Sequence, residues 1–224
     1  MDFMIIKKPR VFPNKVLYQK TKRALDLAIC ILILPVALPI MAICAIAIYF
    51  DSADPIVFVQ ERIGKGGRTF RMYKFRTIKN DFDKENNQAY MKAYVRGTLE
   101  GVGDKNETYK PIKVDFITKV GRILRKTSLD ELPQIFNVFK GEMSIVGPRP
   151  NVLWEVDEYR QWHHERFEVL PGITGLAQVR GRSCIDFKSL VRYDIEYIEN
   201  QSLWLDIKIL WWTFTSIVLG KGAS

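Results

Sequence analysis

The run LAICILILPVALPIMAICAIAIYF, Leu27–Phe50, carries no charged residue. At about 1.5 Å of rise per residue it is long enough as a helix to cross a hydrocarbon core of about 30 Å. Pro35 and Pro39 fall near its middle, where they remove two backbone donors and disfavour a straight helix. Both flanks are basic: Lys15, Lys20, Lys22 and Arg23 precede the run, and Arg62, Lys65, Arg68 and Arg71 follow it. Positive flanks prefer the cytoplasmic side. The charge pattern therefore favours a helix that enters the membrane, bends at Pro35 and leaves by the same face, with arms of roughly 16 Å, about one leaflet. A plain kinked spanning helix is the alternative. A cleaved signal peptide fits poorly, because the run follows a long basic leader and ends in Tyr49, Phe50 and Asp51 without a small-residue cleavage pattern.

This run divides the chain into a basic membrane-surface leader (1–23), a re-entrant helix (24–50) and a cytoplasmic domain expected to rest on the membrane interface (51–224). A net charge of +9 over 224 residues calls for an anionic partner, such as phosphorylated small molecules or anionic membrane lipid. Nucleic acid is not expected, since no recognisable binding motif appears and the apolar run argues against it. Cys30, Cys44 and Cys184 lack the spacings of a zinc site and read as reduced thiols. His163 and His164 read as surface helix residues.

Downstream, Ile56–Gln60 and the alternating TFRMYKF, joined by Gly64, Gly66 and Gly67, predict a β-hairpin whose edge carries Lys74 and Arg76. A helix is expected around Gln88–Arg96 within the polar 80–113 insertion, a lid or mere decoration. Asn151–Val169 has a charged, aromatic helical pattern, PGITG at Pro171–Gly175 is a turn, and Lys188–Asn200 is helical. Leu203–Leu219 is apolar and rich in tryptophan, which favours a helix at the headgroup level over a second spanning segment, an ordinary buried helix being the alternative. The fold class is thus α+β and mainly helical: a monotopic membrane protein with a Pro-bent helix, a small hairpin and interfacial amphipathic helices.

Chemistry concentrates in RKTSLDELPQIFNVFKGEMSIVGPRP, Arg125–Pro150. Ser128 followed three residues on by Glu131 fits a capping box, which sets Asp130 and Glu131 in the first turn of a helix, at the positive end of its dipole. Ile135, Phe136, Val138 and Phe139 supply that helix's apolar face and Gly141 ends it. Such a carboxylate, with Arg125 and Lys126 just upstream to hold an anion, can attack phosphorus; a simple capped helix start is the plainer reading.

The run LRKTSLDELPQIFNVFKGEMSIVGPRP, with QERIGKGGRTFRMYKFRT before it and LPGITGLAQVRGR after it, resembles the bacterial sugar transferase family of small monotopic phosphoglycosyl transferases, from Tyr18 to about Gly220. The resemblance implies transfer of a phosphosugar from a UDP-sugar to polyprenol phosphate at the cytoplasmic face of the bacterial inner membrane, with release of UMP. It implies Asp130 as nucleophile and Glu131 as the residue that places Mg²⁺. Lys74, Arg76, Arg125 and Arg149 are the expected phosphate contacts; Pro148, Pro150, Gly175, Gln178 and Arg182 are the nucleotide-binding candidates. Family members often have Ser before the hairpin proline and a basic residue before PGITG, where this chain has Leu34 and Leu170. A non-catalytic, membrane-anchored scaffold with a basic surface is the competing reading. The sugar, the glycan pathway and the oligomeric state are not legible.

Overall fold

The computed structural model describes residues 15–52, 55–79, 84–98, 116–181 and 185–219. Arg182, Cys184, residues 1–14 of the expected leader and the whole 99–115 stretch lie outside them. The architecture is mainly helical, with two small two-stranded sheets and one long apolar helix near the N-terminus.

That helix, α1 (Val16–Asp51), contains both Pro35 and Pro39, and takes up residues 16–23 of the expected leader as its first two turns. One stripe of it is buried: Asp26, Cys30, Ala37, Met41, Cys44 and Ile48, with Leu34 partly so. Spacings of three and four residues keep this stripe on one helix face. The stripe runs about 33 Å along the axis at 1.5 Å per residue, and the domain packs against it throughout. Ile31, Leu32, Val36, Ile43, Ile46 and Phe50 lie exposed on the rest of its surface. Both prolines are also exposed, facing away from the domain.

Polar side chains stitch the start of α1 to the domain. Asp26 accepts from Ser144 Oγ at 2.7 Å and from the Ile145 amide at 3.2 Å. Arg23 donates to the Val138 and Phe139 carbonyls, the free end of a later helix.

The expected hairpin is present as β1 (Val57–Ile63) and β2 (Thr69–Phe75), antiparallel, with Lys74 opposite Phe58. Phe70, Met72 and Phe75 are buried. The helix expected around Gln88–Arg96 is α2 (Lys84–Arg96), and α3 (Lys119–Thr127) is capped by Thr118 Oγ1, which accepts from the Gly121 amide at 2.9 Å.

After α3 the structure departs from the expected capping box. Ser128 takes a left-handed conformation (φ 57°) at the C-terminal end of α3, and its side chain caps nothing. Leu129–Gln134 is a 3-10 segment, and only then does α4 (Ile135–Lys140) begin, ending at Gly141 as expected. Pro133 is the reason: it has no amide to donate, and an α-helical turn would press its ring against the carbonyl four residues back. Phe136, expected in the core, is exposed, while Asn137 is fully buried. Asn137 accepts from the Tyr73 amide and donates to the Arg71 carbonyl and Glu142, so it fastens α4 to β2.

β3 (Ser144–Val146) pairs in parallel with β4 (Gly172–Thr174), so PGITG is partly strand rather than turn alone. The crossover between them holds α5 (Leu153–Val156) and a 3-10 helix at Gln161–Glu168, where a single helix was expected. A Cβ on Gly147 would come within 2.5 Å of the Leu170 carbonyl oxygen, and one on Gly172 would overlap the Gly147 amide. Gly172→Ala is therefore expected to destabilise the fold by about 3 kcal/mol, the upper range for overpacking. Thermal denaturation checks this; an unchanged melting temperature contradicts the overlap.

His163 is buried rather than a surface residue. It packs edge-on against Tyr159, Trp162 and Phe187, and its Nδ1 accepts from the Arg160 amide. Burial, reinforced by Arg166 and Arg160, pushes its pKa down to about 4 from 6.5. A histidine held neutral contributes stability that is complete above pH 6.5 and is lost as pH falls from there to about 4, at most about 3 kcal/mol. His163→Phe should flatten the decline of the melting temperature between pH 7 and 4.

The chain ends in α6 (Leu176–Gly181), α7 (Phe187–Glu199) and α8 (Leu203–Val218). The inner face of α8 packs Ile209 into the core and adds polar contacts to it. Asp206 is buried, accepting from Tyr18, Lys22 and Tyr197, and Thr213 meets Thr174 at 2.7 Å. Trp204, Ile207, Trp211 and Phe214 face outward, with Trp204 64% exposed. Exposed aromatics beside the exposed Lys208, whose Nζ lies 5.3 Å from the Trp204 ring centroid, suit the headgroup level.

Candidate functional site

The carboxylates sit where three elements meet: the inward side of β2, the 3-10 segment after α3, and the Gly147–Pro150 turn after β3. Lys74 stands on the same side of β2 as Phe70 and Met72, since alternate strand residues share a face. Its Nζ donates to Glu131 Oε1 at 2.6 Å, and Arg149 Nη1 approaches the same oxygen at 3.6 Å. Lys74 and Glu131 are largely shielded, with side chains 15% and 19% exposed, whereas that of Arg149 is 49% exposed.

Burial opposes charge on Glu131, but Lys74 and then Arg149 outweigh it and hold its carboxyl below the usual range. Asp130 behaves in the opposite way. Burial pushes its pKa up, Glu131 adds to that, and Lys74, Arg125 and Arg149 only partly counter it. Asp130 and Glu131 do fall in the first turn of a helix, the 3-10 segment that runs on into α4, but no capping box holds them and the C-terminal end of α3 immediately precedes them. Cations across the cleft counter the burial of Asp130. Arg125, in the last turn of α3, is depressed by burial and sustained by Asp130.

A narrow cleft opens beside the pair, lined among others by Arg62, Lys74, Glu131, Gln134, Arg149 and Pro150. Arg62 and Gln134 were not singled out as site residues. Arg62 donates to the Pro150 carbonyl at 3.1 Å and to Gln60 Oε1 at 2.6 Å, so it holds the proline turn onto the hairpin. Its position 88 residues before Pro150 leaves no local signal of this pairing.

Of the remaining sequence candidates, Pro148 and Pro150 are buried in the turn. Arg76 lies just beyond β2, and its side chain does not line this cleft. Gly175 is buried with its missing Cβ against the Gly147 carbonyl, so packing alone accounts for glycine there. Gln178 donates to the Ile173 carbonyl at 3.1 Å and stands outside the cleft. Arg182 is outside the described residues.

Both contacts of Glu131 use Oε1, which leaves Oε2 and the Asp130 carboxylate to a divalent cation. Among the described residues no cluster of three or more His, Cys, Asp or Glu could hold a metal. Glu131 Oε2 and the Asp130 carboxylate are the oxygens that could hold magnesium, which is typically bound by one or two carboxylates with water and substrate phosphates completing its shell. Chemically, a shielded carboxylate ringed by Lys74, Arg125 and Arg149 is arranged to receive a phosphate-bearing anion and attack it.

The family profile described as "Bacterial sugar transferase" matches residues 17–220. Among curated proteins the chain is 35% identical over 213 residues to the UDP-N-acetylgalactosamine-undecaprenyl-phosphate N-acetylgalactosaminephosphotransferase of Aeromonas hydrophila, covering 92% of this chain and 46% of that protein. It is 38% identical over 210 residues to the UDP-glucose:undecaprenyl-phosphate glucose-1-phosphate transferase of Escherichia coli (strain K12), covering 90% and 41%. It is 35% identical over 201 residues to EpsL of Bacillus subtilis (strain 168), described as an uncharacterized sugar transferase, covering 90% and 89%. The chain therefore spans less than half the length of the first two and about nine-tenths of the third.

Proposed function

Because the chain belongs to the bacterial sugar transferase family, we propose that it moves a sugar phosphate from a UDP-sugar to a polyprenol phosphate through a covalent intermediate on Asp130. The observation that carries this reading is the shielded Lys74–Glu131 pair beside Asp130, with Arg125 and Arg149 at hand, on a cleft. The names of the relatives specify undecaprenyl phosphate as acceptor.

In the first half-reaction an Asp130 oxygen attacks the β-phosphorus of the donor. The bond from that phosphorus to the bridging oxygen breaks, and UMP leaves with the electron pair. Lys74, Arg125 and Arg149 hold the diphosphate and balance the charge gathering on the departing phosphate. In the second, an oxygen of the polyprenol phosphate attacks the same phosphorus, the acyl phosphate bond breaks, and the Asp130 carboxylate is restored. Two steps let a water-soluble and a lipid-borne partner use one site in turn. Magnesium, when bound, supplies neutralisation of the diphosphate, with Glu131 and Asp130 as the protein oxygens that would hold it. Partial burial of Asp130 limits its hydration and leaves its oxygen a stronger nucleophile.

The membrane reading follows from α1 and α8. A helix packed against the domain along about 33 Å cannot also cross a core of about 30 Å while the domain stays in water. This favours a helix that remains within one leaflet of the inner membrane, with the site at the cytoplasmic face where a lipid phosphate emerges, although α1 runs unbroken through Pro35 and Pro39 rather than parting there. Outward-facing Trp204 and Trp211 suit the same level.

The experiment is intact-mass measurement of purified protein incubated with a panel of UDP-sugars. A phosphosugar adduct with release of UMP is expected from at least one donor. No adduct and no UMP from any donor, with polyprenol phosphate and Mg²⁺ supplied, would overturn the reading in favour of a scaffold.

A further inference from the structure

The turn that carries Arg149 is fastened through its backbone. The Gly147 amide donates to the Thr174 carbonyl at 2.8 Å, the Pro148 carbonyl accepts from the Gly172 amide at 2.8 Å, and the Pro150 carbonyl accepts from Arg62 at 3.1 Å. A further hold falls on the residue just before the turn, where Tyr197 of α7 directs its hydroxyl to the Val146 carbonyl at 3.2 Å. That carbonyl and the Gly147 amide belong to one planar peptide unit. The hydroxyl and Thr174 therefore grip two sides of the same plane.

Tyr197 is itself fixed from the two apolar helices. Its hydroxyl proton is shared between Val146 and Asp206 Oδ1, 2.8 Å away on α8. Asp206 accepts on its other oxygen from Tyr18 at 2.9 Å and from Lys22 at 3.0 Å, both on α1. Tyr197 and Asp206 are buried, so water does not compete for these bonds. A phenyl ring at 197 would fill the apolar space among Val146, Leu176, Ile198 and Ile209 as well as the phenol does. What the oxygen adds is a tie between the Asp206 cluster and the strand that leads into the turn.

Arg149 makes that tie matter. Its Nη1 stands 3.6 Å from Glu131 Oε1, beyond hydrogen-bond reach, and its side chain is half exposed. The place of its guanidinium thus depends on the backbone beneath it, which Pro148 and Pro150 stiffen on either side. We propose that Tyr197 is a positioning residue for Arg149: its hydroxyl, anchored by Asp206, holds the Val146–Gly147 peptide and with it the guanidinium beside the carboxylate cleft. The inference rests on the reading that Arg149 binds a phosphate of the substrate. Tyr197 and Val146 are 51 residues apart, so nothing local in the sequence signals the pairing.

The test is a double-mutant cycle on the full chain in lipid nanodiscs, with inorganic pyrophosphate as the probe and its affinity measured by calorimetry. Tyr197→Phe should weaken pyrophosphate binding by about three- to tenfold, the contribution of one hydrogen bond. In the Arg149→Ala background the same change should have no effect, whereas in the Lys74→Met background it should cost the full factor. A merely structural tyrosine would weaken binding equally in all three backgrounds. Equal losses, no loss in Tyr197→Phe, or a wild type whose pyrophosphate binding is absent or indifferent to Arg149→Ala each overturn the role. Should Tyr197→Phe not fold, Tyr18→Phe takes its place, since it removes a donor to Asp206 from the half-buried outer side of the cluster. Its loss of affinity should again vanish without Arg149, and a loss that persists there, or none at all, overturns the role. An adduct from a UDP-sugar together with equal losses rejects the positioning alone. Absence of any adduct rejects the transferase reading, and the pyrophosphate cycle still decides the role of Tyr197.

Discussion

Asp130→Asn is expected to abolish the phosphosugar adduct and to lower UMP release by on the order of 10⁴-fold or more, the scale seen when a covalent nucleophile is removed. The amide keeps the shape of the side chain, so the 3-10 segment and the Lys74–Glu131 pair beside it are retained. Stability should move the other way. Burial, aided by Glu131, raises the pKa of Asp130 in the fold, so the ionised form is disfavoured there relative to the unfolded chain. Above the carboxyl's unfolded pKa that difference opposes folding, and removing the charge relieves it. The variant should melt at or slightly above the wild-type temperature, measured without divalent metal. Loss of activity with retained stability is the signature of a residue kept for chemistry. An adduct that persists in Asp130→Asn places the nucleophile elsewhere.

What could be read from the sequence was what short-range physics controls. The hairpin follows from alternation around three glycines, and the C-terminus of α4 from Gly141. The apolar run and the outward tryptophans of α8 were visible as composition. The local geometry at Asp130 was misread because two signals compete there. Ser128 and Glu131 have the spacing of a capping box, but Pro133 denies the segment an α-helical turn and Ser128 ends the preceding helix instead. The polar residues of α8 seemed scattered because their order is set by distant partners, Tyr18 and Lys22 on α1 and Thr174 on β4. Site pairs are long-range in the same way. Lys74 and Glu131 are 57 residues apart, Arg62 and Pro150 88. Lys74 was within reach because the alternating hairpin strand already carried it at its edge, whereas Arg62 emerges only when the hairpin and the proline turn are assembled.

Lys74→Met tests whether the cation acts on chemistry or merely fills the fold. Lys74 Nζ lies 2.6 Å from Glu131 Oε1 in a largely shielded position, and it is the strongest of the influences that keep Glu131 ionised. Methionine retains the length of the stem and removes the charge. Arg149, 3.6 Å away and half exposed, is left as the nearer remaining cation. Removing one partner of a shielded pair strands the other, so the variant should lose about 1–3 kcal/mol of stability. Because the folded pKa of Glu131 is depressed, its contribution is present above the unfolded carboxyl pKa and disappears as pH falls through the folded value. Stability of Lys74→Met should consequently depend less on pH on the acid side than that of the wild type. Turnover should fall by about 10²–10³-fold, the usual consequence of losing one preorganised group that stabilises developing charge. The double variant Lys74→Met with Glu131→Gln separates the two roles, since contacting residues are not additive. With no stranded carboxylate it should recover most of the melting temperature and none of the turnover. Recovery of both would mean that the pair serves packing alone, and the phosphate would then be held by Arg125 and Arg149 without help from the hairpin.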